Sequence, residues 1–206
     1  MTDVKICGIM SEADVASASE ADYLGFVLMT DSRRCLTVAR ARTLMALTDR
    51  RKVVVTTIRN VDAIIDLVNE LHPDVVQVHS RFSVDEMVRL RESLSCELWL
   101  LLPVMKNVTA QTLRDLRRFT DKVVLDTPSV QGGGSGETHD WNVSASIAQF
   151  LRPTKCVLAG GLDPDNVGMA ISTVHPDVVD VSSGVEENGV KSAALIDRFI
   201  ENARKK

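Results

Sequence analysis

The chain has 206 residues, of which 45% are hydrophobic and 25% charged, and carries a net charge of -4. That length suits one domain around a single large core, and the balanced composition excludes a disordered or fibrous chain. The negative charge, with the pairs Arg33-Arg34, Arg50-Arg51 and Arg117-Arg118 scattered along the chain, argues against a nucleic-acid surface, which needs clustered cations.

From the N-terminus, Val4 to Cys7 is a short apolar strand, and Ser11-Glu-Ala-Asp14 has the form of a capping box that opens a helix. Tyr23 to Met29 is a second strand. A polar loop through Asp31-Ser32-Arg33-Arg34 follows, and Thr37 caps a helix carrying Leu44 and Met45. The unit then repeats. Val53 to Val55 is the third strand, and Asn60 caps a helix whose Ile64, Leu67, Val68 and Leu71 recur at helical spacing. Val75 to His79 is the fourth, with Ser83 opening its helix, and Leu98 to Val104 the fifth, with Thr109 or Asn107 as cap. Val123 to Asp126 is followed by a glycine-rich loop, Ser129 to Glu137, and a helix from about Asn142 to Phe150 with Asp140 as its N-cap. Cys156 to Ala159 leads into Gly160-Gly161 and a helix opened by Asp163-Pro164, running over Asn166 to Val174. Val178 to Ser182 is the last strand, and a helix from Ser192 runs towards Lys205 and Lys206, whose charge complements its negative end.

Strands of Val, Ile and Leu that barely alternate with polar residues are buried on both faces, as in a parallel sheet. The expected fold is α/β, a single (β/α)8 TIM barrel domain over residues 1–206, compact against the usual length of about 250. An open doubly wound sheet is the alternative, but Cys7-Gly8-Ile9 stands where its G-x-G-x-x-G would be. Cys7, Cys35, Cys96 and Cys156 show no C-x-x-C spacing, so reduced thiols and no metal site are expected. No apolar run reaches secretory or membrane-spanning length, so a cytoplasmic protein with no membrane partner is expected. Monomer and homodimer both stay open.

In a barrel the chemistry belongs at the strand ends that lead into helices. Those ends deliver Cys7, Arg34 from the second loop, Gln77 and His79, Asp126, Gly160 and Gly161, and finally Ser183 and Gly184. The two glycine clusters offer bare backbone N–H groups to a phosphate, or else only turn the chain tightly. Cys7 is either a small buried hydrophobe or a base, the latter if a cation shifts its thiol from the ordinary value of about 8.5. Arg34 is the nearest candidate cation in chain order. Asp126 is either a rim acid with a pKa raised by low dielectric or an acceptor for loop amides. Gln77 and His79 contact a ligand or satisfy loop backbone. Ser135 is no nucleophile, since Gly134-Ser135-Gly136 lacks the G-x-S-x-G spacing. A thiol and a carboxyl facing a phosphate cradle form a base and acid pair suited to a sugar phosphate.

Val4-Lys-Ile-Cys-Gly-Ile9, Gln77-Val-His79, Leu125-Asp126, Gly132-Gly-Gly-Ser-Gly-Glu-Thr138, Asp140-Trp141, Leu158-Ala-Gly-Gly-Leu162 and Asp180-Val-Ser-Ser-Gly-Val-Glu186 occur in this order. In this the chain resembles the phosphoribosylanthranilate isomerases of tryptophan biosynthesis, from Val4 to about Lys191. The resemblance implies an enzyme without cofactor that carries out an Amadori rearrangement of a sugar phosphate. By position it makes Cys7 the base at C2 and Asp126 the acid at the ring oxygen. It gives Arg34 the anthranilate carboxylate, and the amides near Gly160, Gly161, Ser183 and Gly184 the phosphate. Cys35, Thr57, Ser80 and Glu137 depart from the family's usual residues. An isomerase of a histidine-pathway aminoaldose, which uses two aspartates, is disfavoured by Cys7. A phosphate-ligand sensor on the same barrel would bind without turnover.

Overall fold

A computed structural model describes residues 1–105, 108–128 and 138–205. Among these, the barrel strands are β1 (Asp3–Cys7), β2 (Tyr23–Leu28), β3 (Arg51–Thr56), β4 (Val75–Val78), β5 (Glu97–Pro103), β6 (Lys122–Asp126), β7 (Lys155–Leu158) and β8 (Val178–Val181). The helices that follow them are α1 (Glu12–Ser17), α2 (Val38–Met45), α3 (Val61–Leu71), α4 (Val84–Ser93), α5 (Ala110–Phe119), α6 (Trp141–Leu151), α7 (Val167–Val174) and α8 (Ala193–Arg204). Each barrel strand is parallel to its neighbours, and β1 pairs with both β2 and β8. The sheet therefore closes on itself, which confirms the barrel and removes the open-sheet alternative. A two-residue strand, Cys35–Leu36, lies beside the end of β2, and a short hairpin of Glu186–Glu187 with Val190–Lys191 follows β8.

The unbroken apolar character of the strands has a simple cause. Successive side chains point to opposite faces, and both faces are covered. Tyr23, Val27, Val53, Val55, Val75, Trp99, Val124, Val157 and Val178 fill the barrel, while Val4, Ile6, Leu24, Phe26, Val54 and Val76 pack outward under the helices. Capping decides where the helices begin. Ser11 and Ser83 form capping boxes, and Thr37, Asn60, Thr109 and Asp140 each accept a backbone N–H with their side chains. Thr109 is thus the cap of α5, and Asn107 lies outside the described residues.

One helix start differs from expectation. Asp163-Pro164 does not open α7, because the Asp163 carboxylate takes the N–H groups of Asp165 and Asn166 and holds a turn there. The helix begins three residues later, at Val167. Met29, His79, Val104, Ala159 and Ser182 also lie just past the strand ends rather than within them.

A repeated device locks the N-terminal ends of the strands. An aspartate immediately precedes each even strand: Asp22, Asp74, Asp121 and Asp177. Each accepts the backbone N–H of the preceding odd strand, from Val4 (2.8 Å), Lys52 (2.7 Å), Leu98 (2.8 Å) and Cys156 (2.9 Å). Each also returns its own N–H to the carbonyl of that same residue, at 2.9 to 3.0 Å. Below the apolar layers the barrel is plugged by Glu97, which receives hydrogen bonds from Lys122 (2.6 Å), Arg51 (2.8 Å) and the Trp99 indole (2.8 Å). This leaves the opposite, C-terminal end free to form a cleft.

Candidate active site

At that end a cleft of about 130 Å³ is lined by Cys7, Arg34, Gln77, His79, Asp126, Gly160, Gly161 and Ser183, among others. Closure of the barrel brings these residues together from six of its loops and strand ends. Gly184 stands behind Ser183, where a methyl group would overlap the carbonyl of Leu162. The loops after β7 and β8 therefore pack against each other. Gly160 and Gly161 hold φ of 86° and 67°, a region costly for residues with a Cβ. A Cβ on Gly160 would also stand 2.6 Å from Asp126 Oδ1. The amides of both glycines donate to no protein acceptor among the described residues. The glycine-rich stretch 132–136, Ser135 and Glu137 lie outside the described residues.

Asp126 ends β6 and accepts the Thr127 N–H at 2.7 Å. Burial raises its pKa to about 6, with the charge of Asp180 adding to the effect, so part of it carries a proton near neutrality. Cys7 lies at the end of β1, where burial raises the thiol above its usual value. The cation that opposes burial most is Lys5, with Lys191 behind it, and not Arg34 as chain order suggested. Lys5 lies two residues before Cys7 on the same face, wholly buried, and donates to Asp180 Oδ2 at 2.8 Å.

Arg34 turns its Nε and Nη2 onto Glu186, at 2.8 and 2.9 Å. Glu186 also receives Arg33 and, at 2.9 Å, Lys191. Three cations thus share one carboxylate, and the surplus of positive charge suits a second anion. The guanidinium has two bidentate edges, and the Nη1 edge of Arg34 has no protein acceptor among the described residues. Two glycines make room for this cluster: a Cβ on Gly8 would overlap Arg34 Cδ, and one on Gly189 would overlap an Arg33 nitrogen.

Gln77 Nε2 and His79 Nε2 stand 2.6 Å apart. Burial, with the charge of Lys5, lowers the His79 pKa to about 4, so its imidazole is neutral at pH 7. Two buried oxygens at this site, Gln77 Oε1 and Asp180 Oδ1, have no hydrogen-bond partner among the described residues. Unsatisfied buried acceptors are costly, and a ligand hydroxyl would satisfy them. Two departures from the family's usual residues are joined, since Ser80 Oγ donates to the Thr57 carbonyl at 2.7 Å. Nothing in the structure explains Cys35, which is exposed.

Sequence reasoning missed Lys5 and Lys191 and gave Glu186 no role. For Lys5 a signal was present, a lysine inside an apolar strand at the same parity as Cys7. Among the described residues no group of three or more His, Cys, Asp or Glu could hold a metal ion, and no helix is long and apolar enough to cross a membrane.

Residues 4–202 match the family model described as N-(5'-phosphoribosyl)anthranilate isomerase. A relative of that name from Haloferax volcanii is 38% identical, over 99% of this chain and 94% of its own. The crystal structure of phosphoribosyl anthranilate isomerase from Thermotoga maritima superposes with a TM-score of 0.85 at 32% identity, covering 99% of both chains. A further phosphoribosyl anthranilate isomerase, solved in complex with reduced 1-(o-carboxyphenylamino)-1-deoxyribulose 5-phosphate, superposes at 0.82 with 29% identity, again over 99% of both chains. A closed eight-stranded barrel and a match along nearly the whole length lead to one conclusion: this chain belongs to the N-(5'-phosphoribosyl)anthranilate isomerase family.

Proposed function

We propose that the protein converts N-(5-phosphoribosyl)anthranilate to 1-(2-carboxyphenylamino)-1-deoxyribulose 5-phosphate, with Cys7 as general base and Asp126 as general acid. The observation that carries this reading is the lining of a single cleft by a thiol from β1 and a carboxyl from β6, between two glycine loops and a cationic cluster. The phosphate lies on the amides of Gly160, Gly161, Ser183 and Gly184. The anthranilate carboxylate lies on the free edge of Arg34. With both charged ends fixed, the ribose carbons are held where proton transfer needs them.

Asp126, protonated in part because of burial, gives its proton to the ring oxygen as the furanose opens to an iminium ion. Cys7, as thiolate, then removes the proton from C2, and the enolamine becomes the ketone as its C2 hydroxyl gives up a proton and C1 gains one; the proton left on Cys7 passes through solvent to Asp126 and resets the pair. Gln77 Oε1 and Asp180 Oδ1, which lack partners among the described residues, accept from ribose hydroxyls, and the neutral His79 holds the Gln77 amide in place.

The test is turnover of the fluorescent substrate by the purified protein and two variants. Cys7→Ser and Asp126→Asn each lower kcat by about 10²–10⁴, the usual contribution of a positioned acid or base. Affinity for the reduced product analogue changes by less than about tenfold, because neither residue holds an end of the ligand. Near-normal turnover in either variant removes that residue from its role.

A further inference from the structure

The mechanism above needs a thiolate, yet Cys7 sits where burial favours the neutral thiol. What surrounds the sulfur therefore decides how much base is available. Gly25 is the β2 residue in register with Cys7. A Cβ there would stand 2.9 Å from Cys7 Sγ and 3.2 Å from Lys5 Cε. The thiol and the end of the lysine chain thus share the hollow that the missing side chain leaves.

The charged and titratable groups that face this hollow come from every side. Lys5 is on the thiol's own strand, Asp180 on β8, Asp126 on β6 and the neutral His79 just past β4. Arg34 comes from the loop after β2, and Lys191 with Glu186 from the hairpin after β8. Arg34 and Lys191 are already committed to Glu186. Lys5 alone among these cations is wholly buried inside the barrel, and its partner Asp180 keeps one oxygen unpaired among the described residues.

We propose that Lys5 is a positioning residue for the isomerisation: its ammonium, held by Asp180 in the space that Gly25 leaves, is the counter-ion that sustains the Cys7 thiolate. The proposal rests on Cys7 being the base. The pKa directions agree with it. Burial disfavours the charge of Lys5, but Asp180 and Cys7 outweigh burial and keep its pKa above the usual lysine value. The charge of Lys5 in turn acts on Cys7 more strongly than that of Asp180, which pushes the other way.

The experiment is alkylation of Cys7 by iodoacetamide as a function of pH, read by mass spectrometry on the Cys7-bearing peptide so that the other thiols do not interfere. Lys5→Met slows alkylation at pH 8 at least tenfold and moves the titration midpoint up by a unit or more, a unit being a tenfold change in the thiolate equilibrium. It lowers kcat by a smaller factor, since the remaining thiolate is the stronger base. Affinity for the reduced product analogue stays within about threefold, because no ligand contact is lost.

Lys5→Met leaves Asp180 buried without its partner and can fail to fold, so the charge-balanced Lys5→Met/Asp180→Asn variant is measured beside it. It too slows alkylation, and Gly25→Ala, which wedges a methyl between sulfur and lysine, does the same. An unchanged Cys7 titration in any folded variant lacking Lys5 overturns the proposal. If Cys7→Ser keeps full turnover, the base assignment itself fails, whatever the thiol titration shows.

Discussion

At the scale of single residues, Asp126 links function to stability with a definite sign. Its folded pKa, about 6, lies above the ordinary carboxyl value of 3.8. The folded state thus holds the proton more tightly than the unfolded one, and the stability this gives is present below pH 4 and lost as pH rises through 6. Above that window a buried carboxylate costs about 2–3 kcal/mol. Asp126→Asn therefore stabilises the protein by about that amount at pH 8 and by little at pH 4, while on the proposed role it lowers kcat by about 10²–10⁴. Urea unfolding at the two pH values checks it, and an equal gain at both would refute the buried-carboxylate account. The pH profile has a matching shape. On the proposed roles, with Asp126 as the acid titrating near 6 and Cys7 as the base above the usual thiol value, kcat/KM forms a plateau between the two. It falls below about pH 6, where the thiolate becomes ever scarcer and Asp126 can gain no more protons.

Among elements, the four aspartates ahead of the even strands hold the N-terminal end of the barrel together, away from the cleft at the other end. Asp74 pairs with both backbone groups of Lys52, giving and receiving a hydrogen bond, at the end remote from the cleft. Asp74→Ala deletes a charge-assisted bond to the β3 backbone and lowers stability by about 1.5–3 kcal/mol. It leaves kcat and KM unchanged, as an enzyme assay beside a urea titration will show. At the cleft end the elements are joined by close approach instead, Gly184 against Leu162 and Gly160 against Asp126. These contacts have no room for a side chain.

For the molecule as a whole, the barrel is an apolar stack with an ionic layer at each end. Below are Glu97, Arg51 and Lys122; above are Lys5, Asp180 and the groups of the cleft. Burial raises the pKa of Glu97, but the bonds from Lys122, Arg51 and Trp99 outweigh it and hold the carboxyl at about 2. A depressed carboxyl contributes stability that is present above its unfolded value and lost as pH falls through the folded one. Glu97→Gln leaves the nearly buried Lys122 without its counter-ion and destabilises by about 2–3 kcal/mol at pH 7. That deficit shrinks towards pH 2, where the native Glu97 is also protonated. A deficit that is constant from pH 7 to pH 2 would show that packing, and not charge, is what Glu97 supplies.

The strands, the helices and their caps at Ser11, Thr37, Asn60, Ser83 and Asp140 were legible in the sequence, because periodicity and capping are local properties of neighbouring residues. So was the repeat that closes into a barrel, and so were the residues delivered to the cleft at its C-terminal rim. The span of α7 was read to within a residue, but not its opening, because Asp163 caps a turn rather than the helix, a choice between two local bonds that the residue type alone leaves open. Only the tertiary structure decided that Lys5, rather than Arg34, acts first on the thiol, and that Arg34 answers to Glu186. Lys5 and Asp180 are 175 positions apart in the chain and meet at 2.8 Å. Their meeting depends on ring closure and register, which bring β1 beside β8, and no window of the sequence contains both.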